Sequence, residues 1–170
     1  LIAFTYAANL WGAQLTSAVP IVINAQFTAL TCTATSATLG SAGATQVFRD
    51  FPNAARPATW YSIALANKIA GMDLTGDGSA NINARFNSSI GQTNCLSGSQ
   101  WYYGLDSNEP ANGIDFVAVL LHEMGHGLGF QTFTNGSTGA LFSSYPSIWD
   151  HFLYDATNNV SWANATAAQR

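Results

Sequence analysis

Apolar residues recur at helical spacing in four stretches of the chain and alternate with polar residues in two others. In residues 3–16, Phe4, Ala7, Ala8, Trp11 and Leu15 share one side of a helix, and Pro20 bars its continuation. Residues 20–30, PIVINAQFTAL, alternate as a strand does. Residues 31–58 are rich in Thr, Ser, Gly, Ala and Pro and read as loop with short strands. The helical pattern returns over 59–70 and stops at Gly71. After a turn region to Ala80, residues 81–90, NINARFNSSI, alternate again as a strand. A polar loop at 91–113 carries the aromatic cluster Trp101, Tyr102 and Tyr103.

The strongest helix spans 115–128. Its run FVAVLLHEMGHGL is apolar enough to be buried on most sides. Asp115 suits its N-cap and Gly129 its C′ position. A Gly/Ser/Thr loop follows, then a short helix over 146–156 with Pro146 in its first turn. Neither an internal repeat nor a clear linker is present.

With 48% hydrophobic residues the chain has material for a core, and its 170 residues suit one domain, with or without a small appendage. Only 8% are charged, so the surface is built from Asn, Thr, Ser, Gln and Ala, a composition expected of a secreted protein. The net charge is -4 and the sole lysine is Lys68, so no basic patch exists to hold a nucleic-acid backbone. No apolar run reaches the roughly 20 residues of a membrane span. The two cysteines, Cys32 and Cys95, are expected to close one long loop as a disulfide. Sequons at Asn87, Asn135, Asn159 and Asn164 permit glycosylation and no more. The chain starts without Met and without a signal peptide, and reads as a piece of a longer precursor.

Against this background His122-Glu123-Met124-Gly125-His126 stands out. Helix positions i and i+4 sit one turn apart on one face, so both imidazoles can reach one zinc ion. Glu123 lies beside that ion without binding it. From there it can take a proton from the metal's water and pass it to a leaving amine. A buried helix does not tolerate two His and a Glu without partners, and metal ligation supplies them.

The segment HEMGHGLGF, 122–130, resembles the zinc helix of the zincin metallopeptidases, closest to metzincin and leishmanolysin-like members that share HExxHxxGF. GIDFVAVLLHEMGHGLGF, with WYYG upstream, is similar to a group of secreted bacterial zincin-like peptidases. The resemblance implies an α+β fold: a twisted mixed sheet with backing helices, the HExxH helix flooring the cleft. Residues 1–130 would form the N-terminal subdomain, and 131–170 the start of a second that supplies the third ligand. It implies zinc-dependent cleavage of a protein or peptide substrate. It also makes NINARFNSSI the edge strand along which substrate lies, through Asn83, Ala84 and Arg85, and sets Tyr103 as a candidate oxyanion donor. Two alternatives stand beside this reading: a non-catalytic binding domain, and a zinc hydrolase of non-peptide bonds.

Departures from the family pattern matter. The metzincin third-ligand position holds Thr132, and no Met follows residue 124 to make a Met-turn. Downstream of His126 only Asp150, His151 and Asp155 remain as ligands. On a 146–156 helix, Asp155 lies at the edge of the apolar stripe, His151 further round, and Asp150 toward solvent. Asp155 is therefore the first choice, with His151 and Asp150 as alternatives. Finally, Asp73 to Gly78 resembles the start of a calcium loop, but Ala84 stands where its twelfth, bidentate residue belongs, so a plain turn is expected there.

Overall fold

The computed structural model describes residues 1–170. The elements run α1 (Ile2–Gln14), β1 (Ile23–Thr28), β2 (Gly40–Ala44), β3 (Val47–Phe48), β4 (Tyr61–Ser62) and α2 (Ile63–Ala70). They continue with β5 (Ile82–Asn87), β6 (Gln100–Tyr102), β7 (Gly113–Asp115), α3 (Phe116–Leu128), β8 (Tyr154–Asp155) and β9 (Val160–Ser161). The class is α+β, with three helices and small mixed sheets. No helix is long and apolar enough to cross a membrane.

The main sheet has the order β1-β5-β2, with β5 parallel to β1 and antiparallel to β2. The alternation of NINARFN is real: Ile82, Ala84 and Phe86 are buried, and Asn83 and Arg85 are exposed. Its place in the sheet is not the expected one. β5 is the central strand, and its backbone is paired on both sides. Asn83, Ala84 and Arg85 therefore cannot accept an added strand, and the edge-strand expectation is corrected. The edges are β1 and β2.

α3 packs against β2 and β5 of this sheet, and α1 packs against α3. Ala3 and Ala7 of α1 and Ala84 and Phe86 of β5 meet Phe116, Val117, Leu120 and Met124 of α3 in one core cluster. Gly127 allows the closest approach, since a methyl group there would come within 2.3 Å of Ile82 Cγ2. Trp11 ties the two helices with an indole N–H donated to the Leu121 carbonyl at 3.1 Å. Asp115 caps α3 as the sequence predicts, accepting from the N–H groups of Val117 at 2.8 Å and Ala118 at 3.2 Å.

Cys32 and Cys95 are joined as a disulfide, 63 residues apart in sequence. It ties the loop after β1 to the loop after β5.

The expected helix at 146–156 does not form. A single 3-10 turn, Trp149–His151, is followed by the β8–β9 hairpin. Two local hydrogen-bond sets explain this. Ser147 and Asp150 close a tight turn on each other. Asp155 then accepts from the N–H groups of Thr157 and Asn158, which turns the chain back. The Asp73 loop is likewise self-contained: its carboxylate accepts from Thr75, Gly78 and Asn67.

Candidate active site

His122 and His126 project from one face of α3, their Nε2 atoms 3.0 Å apart and their rings nearly perpendicular at 87°. His122 is exposed and His126 half-buried. His126 Nδ1 lies 2.8 Å from the Phe130 carbonyl oxygen. A carbonyl can only accept, so Nδ1 carries the proton and Nε2 keeps its lone pair in neutral imidazole. That lone pair faces His122 Nε2. Two nitrogens bound to one tetrahedral zinc at ordinary bond lengths lie about 3.3 Å apart. The pair fits a divalent metal, with one imidazole already oriented by a backbone carbonyl, as metal-binding histidines usually are.

The turn that supplies this carbonyl depends on Gly129. Its φ of 129° is strained for any other residue, and its N–H closes α3 on the carbonyls of Gly125 and His126. Phe130 follows at once, so the cap of the helix and the support of His126 are one local structure.

Glu123 is 8% exposed and lies between α3 and the edge strand β2. A methyl group at Gly40 would come within 2.9 Å of Glu123 Cγ and 3.1 Å of its Oε1. Gly40 thus lets the carboxylate side chain lie flat on the strand backbone. Its oxygens are not among the enclosed, unpartnered atoms of the molecule, so they keep access to solvent. Gly40→Ala is expected to displace this side chain while leaving both histidines in place. NMR shifts of the Glu123 side chain, moved from wild type, and of the two imidazoles, unmoved, check it.

The candidates for the third ligand are elsewhere. No group of three His, Cys, Asp or Glu side chains converges anywhere in the chain. Asp155 sits in the β8–β9 hairpin rather than on a helix, and the Asn158 amide and backbone hold its carboxyl below the usual range. The ranking that put it first rested on a helix that is absent. His151 Nε2 lies 3.2 Å from Thr59 Oγ1, which itself donates to the Pro57 carbonyl, so His151 is the donor. Burial, and then the nearby Arg56, lower the His151 pKa, with Asp150 opposing them. Asp150, expected in solvent, is instead fully buried at 0% exposure.

Tyr103 is 56% exposed and stacks edge-to-face on Phe116, 5.3 Å between ring centres. It borders an apolar hollow with Phe27, Phe86 and Phe116, and burial raises its pKa. Trp101 donates to the Asn87 carbonyl at 2.9 Å and packs on Phe116, so it belongs to the core.

A second apolar cavity of about 380 Å³ opens beside the end of α3, lined by Trp11, Leu65, Lys68, Leu128, Phe130 and Trp149 among others. None of His122, Glu123 and His126 lines it.

Sequence reasoning missed Gly40, the Phe130 carbonyl that accepts from His126, and Ser147. Only Ser147 carried a local signal: Ser147-x-x-Asp150 has the spacing of a reciprocal capping box. Comparison of the chain with protein-family models, with curated proteins and with solved structures finds no match.

Proposed function

We propose that the chain is a zinc-dependent endopeptidase of an oxidising, extracellular compartment, with His122 and His126 as metal ligands and Glu123 as general base. The observation that carries the reading is the imidazole pair: two Nε2 atoms 3.0 Å apart, one with its tautomer set by the Phe130 carbonyl. Glu123, next to His122 on α3 and only 8% exposed, supports it. The Cys32–Cys95 disulfide supports the compartment.

A zinc ion held by the pair would supply a Lewis acid that lowers the pKa of water toward about 7 and polarises a carbonyl. The chain's own contribution follows from position. Glu123 takes a proton from the attacking water and returns it to the departing nitrogen. Its packing on Gly40 limits its rotamers before substrate arrives. β2 runs past Glu123 with one backbone edge unpaired, so an extended peptide adds there in strand fashion. The third ligand is left unassigned, since Asp150, His151 and Asp155 are committed to Ser147, Thr59 and Asn158.

The test is hydrolysis of casein by the purified protein, before and after removal of metal by a chelator. Cleavage that stops on removal and returns with stoichiometric zinc is the expected result. Metal-independent cleavage, or none by protein that holds zinc, would refute the assignment.

A further inference from the structure

Beyond the end of α3 the chain is gripped by the turn at 147–150. Ser147 and Asp150 exchange two hydrogen bonds: the Ser147 N–H donates to Asp150 Oδ2 at 2.7 Å, and the Asp150 N–H donates to Ser147 Oγ at 3.1 Å. The Ser147 hydroxyl then donates its own proton to the Gln131 carbonyl at 3.1 Å. Gln131 follows Phe130, whose carbonyl receives the His126 Nδ1–H. Trp149, within the turn, stands edge-to-face on the Phe130 ring, with centres 5.1 Å apart. The turn therefore holds residues 130–131 twice, through a backbone carbonyl and through a ring.

Burial makes this arrangement unusual. Asp150 is 0% and Ser147 1% exposed, and the second carboxylate oxygen of Asp150 is enclosed without a protein partner. A surface capping box needs none of that, and an enclosed, half-satisfied carboxylate is costly. The cost is offset where the turn fixes something else, and what it touches is the segment supporting His126.

We propose that Ser147 and Asp150 are positioning residues for the His126 imidazole. They fix the Phe130 carbonyl, which selects the Nδ1–H tautomer and turns the Nε2 lone pair toward His122. The geometry stands on its own, while its consequence for metal binding rests on the zinc reading above.

The test combines imidazole nitrogen NMR on the metal-free protein with zinc titration against a competing chelator. Both are applied to wild type, Ser147→Ala, Asp150→Ala and Asp150→Asn. Wild type should show one His126 tautomer, protonated on Nδ1. Ser147→Ala and Asp150→Ala should mix tautomers and bind zinc about 10- to 100-fold more weakly, the usual effect of removing support from a metal-binding histidine. Asp150→Asn keeps the acceptor for the Ser147 N–H and should restore both readouts. Wild-type tautomer and affinity in folded Ser147→Ala and Asp150→Ala would overturn the proposal. If Asp150→Ala does not fold, Ser147→Ala decides, because it keeps the carboxylate and removes only the hydroxyl that reaches Gln131. Should wild type bind no zinc, the zinc reading fails, and the tautomer measurement alone decides the positioning role.

Discussion

Glu123→Gln is expected to keep its zinc and lose peptidase activity by about 10²- to 10⁴-fold, the ordinary contribution of a positioned general base. Gln has the shape of Glu, so it fills the same space against Gly40 and leaves α3 undisturbed. The amide cannot accept the proton of the attacking water. The loss should appear in kcat, with KM near its wild-type value, because Glu123 acts on the reacting water rather than on the bound chain. The measurement is steady-state kinetics with metal analysis of the same sample. A Glu123→Gln enzyme working within a few-fold of wild type would remove Glu123 from the mechanism.

Loss of the Cys32–Cys95 disulfide carries the second largest effect. The bond joins residues separated by 63 positions, and a loop of that length contributes about 4 kcal/mol through the unfolded chain's entropy. In a domain of this size that corresponds to a fall in Tm of roughly 8–16 °C. A double Cys32→Ala, Cys95→Ala variant measured by thermal unfolding in zinc-free buffer gives the comparison. Cys95 is 4% exposed, so part of any loss will come from its packing. A variant that unfolds within 2 °C of wild type would show that the bond constrains little.

The parts of the molecule legible in its sequence are those fixed by short-range rules. α3 announces itself through Asp115 at its cap, an unbroken apolar run and Gly129 at its end, and all three act as read. The same helical spacing places His122 and His126 on one face. Alternation in NINARFN correctly gives the face that each side chain takes. It says nothing of which strands lie beside it, because pairing partners are chosen by contacts across 38 to 59 positions of chain. That is why a central strand reads like an edge strand. The segment 146–156 misleads for another reason. Tyr145, Ile148, Trp149, Phe152 and Leu153 have helical spacing, but Ser147 with Asp150, and Asp155 with Asn158, offer the backbone local side-chain hydrogen bonds that compete with a helix. The apolar residues serve a turn and a hairpin instead. Gly40 could not be found from sequence at all, since its importance is only that Glu123 lies on it.

Metal content is the most direct test of the imidazole pair. Wild-type protein, His122→Ala, His126→Ala and Glu123→Gln should be loaded with zinc, dialysed and analysed for bound metal per chain. One equivalent is expected in wild type and Glu123→Gln, and none in either histidine variant. Wild-type protein that retains no stoichiometric zinc, or histidine variants that retain it undiminished, would contradict the account.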